Sequence, residues 1–112
     1  MAFLSKSPDR RVAPRQASNA RGLLVAPGLE MVCLIVDLSD GGFRVRMDRA
    51  LSLPRMVVLV DIAAGAACEA EVAWSRGGEA GLKCGSRANA LRGLVPARFT
   101  PARDAWLRAG GR

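Results

Sequence analysis

The 112-residue chain has no histidine and no tyrosine, so the commonest general base and the usual partners of an activated nucleophile are missing. Its three cysteines, Cys33, Cys68 and Cys84, lie far apart and form no CxxC pair. Without histidine a zinc site would need other ligands, so the expectation is three reduced core thiols in a cytoplasmic protein. No apolar run is long enough to cross a bilayer, and the opening "MAFLSKSPDR" turns charged too early for a secretory leader. Membrane insertion is therefore not expected. Aromatics are scarce: Phe3, Phe43, Phe99, Trp74 and Trp106. Small barrels that bind nucleic acid stack bases on exposed aromatics, whereas Phe43 and Trp74 have the parity of core positions. Specific nucleic-acid binding is not expected either.

Cations, in contrast, are abundant. The net charge is +7, and fifteen of the seventeen basic residues are arginine. The excess sits at the ends: residues 1–26 carry five basic groups against one acid and residues 86–112 six against one, while residues 27–85 have six against eight. A nearly neutral body with basic ends suits an anionic partner held by terminal segments. Arginine forks onto phosphate or the edge of guanine and also stacks, which lysine does not.

Along the chain, residues 1–18 mix Ser, Pro and Arg without period and read as a basic arm. Six strand-like stretches follow within the span 19–86: "RGLLVA" (21–26), "LEMVCLIVDL" (29–38), "FRVRM" (43–47), "RMVVLVDI" (55–62), "CEAEVAWS" (68–75) and "EAGLKC" (79–84). Phe43, Val45 and Met47 alternate with Arg44 and Arg46, as in a half-buried strand. Cys68, Ala70, Val72 and Trp74 share one predicted face. Six short strands joined by Gly-rich turns imply an all-β fold, a six-stranded antiparallel β-barrel or rolled sheet. In the segment 87–112 the period changes. Residues 86–95 read as weakly helical, and "TPARDAWLR" reads as a helix with Thr100 as N-cap and Pro101 at its first position, packed through Trp106 and Leu107.

Catalysis is not expected. Glu69 and Glu71 stand two apart on one strand face, where solvated carboxylates are the ordinary outcome. Ser39 has no base, and "DLSDGG" (37–42) is neither a nucleophile elbow nor a phosphate-binding P-loop. Binding suits these stretches better. In "RRVAPR" (10–15), Arg11 and Arg15 can set two guanidinium forks on one ligand. Asp37 can accept from guanine N1 and N2, and Ser39 with the backbone of a tight glycine turn can reach a phosphate or a base edge. These groups suit an anion that carries guanines.

The order RxxxR (Arg11, Arg15), then DxSxxG (Asp37, Ser39, Gly42) at the end of an apolar strand, resembles the PilZ domain, the bacterial receptor module for cyclic di-GMP. The resemblance covers residues 9–86, and "VAWSR" (72–76) and "EAGLKCG" (79–85) look like the family's last two barrel strands. It implies a six-stranded antiparallel barrel with a C-terminal α-helix, no catalytic activity, no cofactor, and a ligand lying across the barrel beneath the N-terminal arm. Arg11 and Arg15 carry over as the guanine and phosphate clamp, and Asp37, Ser39 and Gly42 as the strand-turn half of the site. Arg10, directly before the clamp, is associated in the family with two intercalated ligands rather than one. Pro14 inside the motif biases Ala13 toward extended backbone and so bears on how the clamp is aimed. The expectation is a single-domain receptor that changes conformation on binding cyclic di-GMP and signals to a partner protein. The alternatives are an adapter of the same fold that does not bind the nucleotide, and a small-barrel nucleic-acid binder.

Overall fold

The computed structural model describes residues 16–39, 42–49, 52–84 and 88–111, with side chains at all of these except 16–19 and 37–39. The strands are β1 (Gln16–Ala26), β2 (Leu29–Ser39), β3 (Gly42–Met47), β4 (Met56–Asp61), β5 (Ala66–Arg76) and β6 (Glu79–Cys84), followed by a two-residue β7 (Asn89–Ala90). All pairings are antiparallel, in the order β4-β1-β2-β3-β6-β5, and β4–β5 pairing closes the ring. The result is the expected six-stranded barrel. β7 pairs only with Ala66 and Ala67 at the start of β5.

Alternation along the strands supplies the barrel interior. Leu24, Cys33, Ile35, Phe43, Val45, Leu59, Cys68, Ala70 and Leu82 point inward and form one buried cluster. Between them Arg44 and Arg46 stay exposed, so β3 follows the period of two that its sequence announces. The β5–β6 turn is made by Gly77 and Gly78, with φ of 57° and 88°. Two successive left-handed residues match the right-handed twist of a tight hairpin, and only glycine adopts them without strain.

A second buried cluster lies outside the barrel. The outward side chains Leu23, Val25, Val60 and Ala67 are covered by Leu91, Phe99, Ala102, Ala105 and Trp106. The cover is a 3-10 turn (Ala97–Phe99) running into helix α1 (Thr100–Arg108). Trp106 is 1 % exposed, and its indole Nε1 donates to the Ile62 carbonyl at 2.9 Å. The Arg108 guanidinium hydrogen-bonds to Glu30 near the start of β2 and holds that carboxyl below its ordinary pKa.

Five local expectations are corrected. β1 begins at Gln16, not Arg21, because Gln16 and Ala17 pair with Leu38 and Asp37; partner strand geometry, not β-propensity, extends it. Within residues 86–95 the described backbone is β7 and irregular chain rather than helix, since Leu91 must reach the second core. Thr100 is the first helical residue, and the N-cap position falls to Phe99, which supplies no side-chain cap. Leu107 is 51 % exposed, since α1 seats on the barrel through Ala102, Ala105 and Trp106, one stripe of the helix. Finally, Cys68 and Cys84 are joined in a disulfide between β5 and the end of β6, with Cα atoms 6.5 Å apart, and only Cys33 is a free buried thiol. The long separation in sequence hid a pairing that the β5–β6 register creates.

Candidate functional site

The site is assembled by strand register on the outer face of β2, β3, β6 and β5. Asp37 pairs with Arg44, Arg44 with Gly81, and Gly81 with Trp74. Two residues along, Leu34 pairs with Arg46, Arg46 with Glu79, and Glu79 with Arg76. Residues directly opposite in antiparallel strands share a face. Two parallel rows therefore put Arg44, Arg46, Trp74, Arg76 and Glu79 on one surface. From Arg44 to Trp74 is two strand spacings, about 10 Å.

β-Bulges decide which residues take part. Register slips occur in β1 between Ala17 and Ala20, in β2 between Ile35 and Asp37, and in β5 between Val72 and Trp74. Each inserts a residue and shifts the alternation of everything beyond it. On β2 the inward positions run Met31, Cys33, Ile35. Unbroken parity would give Asp37 the same phase, but the bulge makes it the register partner of the exposed Arg44. On β5 the inward series Cys68, Ala70 breaks in the same way. Trp74 is 42 % exposed, which corrects the expectation that it lies in the core; Phe43, with the same predicted status, is buried.

Trp74 owes its pose to a missing side chain. Gly81 lies beneath the indole, and a Cβ there would come within 2.6 Å of Cε2 and 2.8 Å of Cδ1. A glycine in a strand interior marks a close approach of this kind. The indole thus lies across β6 as a plate facing solvent. Around it the arginines and the Gly77–Gly78 turn line a shallow cleft of about 510 Å³. Glu79 is an acid on this surface: its Oε2 accepts from Arg46 Nη2 at 3.3 Å and Nε at 3.4 Å, and its Oε1 lies 3.8 Å from Arg44 Nη1. A planar aromatic flanked by guanidiniums can take a nucleobase on its face and phosphates at its rim.

Gly42 opens β3 opposite Lys83, and a Cβ there would press to 3.0 Å on the Leu82 carbonyl. Its lack of a side chain therefore has a packing reason beside any role in a turn. Asp37 and Ser39 have described backbones at the end of β2, Ser39 opposite Gly42. Arg10, Arg11 and Arg15 lie outside the described residues; β1 begins one residue after Arg15 and runs beside Asp37. Sequence reasoning missed Arg44, Arg46, Trp74 and Arg76. The available signal was Gly81 in the middle of an otherwise ordinary strand. Glu69 and Glu71 are half-exposed and pair with Arg98 at 3.5 Å and Arg55 at 3.3 Å, so they form a solvated surface rather than an acid pair. Among the described residues no group of three or more metal-ligating side chains occurs, and no helix is long and apolar enough to cross a membrane.

Comparison with known proteins gives one match: the family model for the PilZ domain matches residues 9–95. No curated protein and no solved structure matches the chain.

Proposed function

The chain belongs to the PilZ domain family, and on that premise we propose that it is a cyclic di-GMP receptor that acts by binding rather than catalysis. The observation that carries this reading is the shared register row. The Asp37 position of DxSxxG, Arg44 and the Trp74 plate fall in register on one outer face, beside the start of β1, which follows the RxxxR segment in sequence.

In this reading Arg11 and Arg15 clamp phosphate and guanine from above. Asp37 accepts from guanine N1 and N2, Ser39 and Gly42 supply the turn half of the site, and Trp74 offers a stacking face with Arg44 and Arg76 at its edges. Each bidentate guanidinium contact fixes orientation as well as charge. Arg10 adds a third guanidinium, which suits a second, intercalated ligand molecule. In this reading a doubly anionic ligand bridges these arginines and the barrel, so ligand binding changes the surface that a downstream protein meets. Exposure of Trp74 also favours a second reading, single-stranded nucleic acid stacked on the plate. Against it, Asp37 and Glu79 stand in the rows and repel a phosphate backbone.

Calorimetric titration with cyclic di-GMP, with GTP and a short single-stranded DNA as competitors, decides between them. Saturable binding of the cyclic dinucleotide that neither competitor displaces is the expected result. Binding of DNA alone refutes the receptor reading, and Asp37→Ala should weaken the dinucleotide while leaving DNA unaffected or tighter.

A further inference from the structure

Glu79 stands among the guanidiniums that line the cleft. It stands at the start of β6, directly after the glycine turn, between Arg46 on β3 and Arg76 on β5 in the same register row, with Arg44 on the diagonal. Its two oxygens are divided between two guanidiniums, Oε2 on Arg46 and Oε1 facing Arg44. A phosphate bridging two arginine forks uses the same arrangement.

Nothing in the packing requires a carboxylate there. The Glu79 side chain is 29 % exposed, and its partners Arg44 and Arg46 are 45 % and 57 % exposed. Ion pairs this open to solvent contribute little to folding. Met47 at the end of β3 is secured independently, through its N–H to the Gly78 carbonyl at 2.7 Å. An acid that stabilises the fold so little, yet sits among three arginines beside an exposed indole, acts on what binds the surface.

We propose that Glu79 sets ligand affinity and selectivity as a built-in competing anion: it occupies Arg44 and Arg46 until a ligand phosphate displaces it. This inference rests on the cyclic di-GMP reading above. An anion attracted by charge alone must break these pairs for little return. A ligand that also stacks a base on Trp74 gains enough to displace the carboxylate. Glu79 thereby discriminates against simple polyanions on a basic surface. The contrary role, a carboxylate that holds the guanidiniums in their binding pose, predicts the opposite sign.

Glu79→Gln keeps the side-chain size and removes the charge. Calorimetry with cyclic di-GMP should show binding about three- to tenfold tighter than the parent protein at low salt, the scale of losing two exposed ion pairs. The gain should shrink at about 1 M salt, where the screening length falls to about 3 Å. Glu79→Asp, too short to reach both arginines, should gain less. Inorganic pyrophosphate, charged but unable to stack, should bind Glu79→Gln measurably better than the parent. If the parent binds cyclic di-GMP and Glu79→Gln binds equally or more weakly, the competing-anion role is refuted and the receptor reading stands. If neither protein binds the dinucleotide, the receptor reading falls and takes this inference with it.

Discussion

Replacing Gly81 by alanine tests whether the Trp74 plate is part of the binding surface. The new methyl would overlap the indole, whose Cε2 and Cδ1 would lie 2.6 and 2.8 Å from it, and the ring, open to solvent on its other face, must swing away from β6. Trp74 is 42 % exposed, so somewhat more than half of it is covered. For a tryptophan that is about 100 Å² of apolar contact, worth about 2.5 kcal/mol at the usual area coefficient. Alanine returns about 0.5–1 kcal/mol by stiffening the unfolded strand. The net loss is about 1.5–2 kcal/mol, a Tm lower by roughly 6–12 °C for a domain of this size. The fold survives, because the barrel core beneath Gly81 is untouched. Ligand affinity should fall further, since base stacking on an aromatic is worth about 1–3 kcal/mol. Thermal melts and calorimetry on Gly81→Ala, Trp74→Ala and the double variant measure both effects. The two substitutions disable one device, so their binding losses should be far from additive. Parental affinity in Gly81→Ala, or additive losses in the double variant, would show that the plate takes no part in binding.

The remaining predictions address the arm, the second core and the cysteines. Arg15→Ala should weaken cyclic di-GMP by about 2–5 kcal/mol, the cost of truncating one partner of a desolvated charged contact, without lowering Tm; a collapse in Tm or a change of only a few-fold refutes its assigned role. Titration of the parent protein should reach two ligands per chain, and Arg10→Leu should reduce this to one; a one-to-one endpoint in the parent removes that role from Arg10. Trp106→Phe strands the partly buried Ile62 carbonyl that the indole now satisfies at 2.9 Å, so chemical denaturation should show a loss of about 1–2 kcal/mol with ligand affinity retained. Burial pushes the Cys33 thiol up to about 12, so the folded state keeps its proton where the unfolded chain ionises. This contribution to stability is complete below about pH 9 and is lost as pH rises toward 12. At pH 8 a thiol reagent should therefore spare the native protein and label one cysteine per chain in denaturant without reductant; three labelled cysteines would contradict the Cys68–Cys84 link.

Much of the architecture is legible in the chain itself. Period-two alternation in "FRVRM", β-branched runs bounded by Pro27-Gly28 and Gly77-Gly78, and the changed period after residue 86 specify strands, turns and a terminal helix, because these depend on neighbours close in sequence. The spacing of RxxxR and DxSxxG marks the family for the same reason: a motif is a local record. What local pattern cannot carry is phase across a bulge. One extra residue in β2 and one in β5 reverse the inside-outside assignment beyond them. That is how Asp37 becomes the partner of an exposed arginine, and how Trp74, an apparent core residue, becomes an outer plate. Register between distant strands is equally unwritten. It brings Cys84 to Cys68, lays an indole over Gly81 and sets Glu79 between arginines of two other strands. The sequence by itself determined the elements and the motif; closure of the barrel determined which side chains share a face, since the pairing that closes it is chosen by the summed burial of all six strands and not by any one of them.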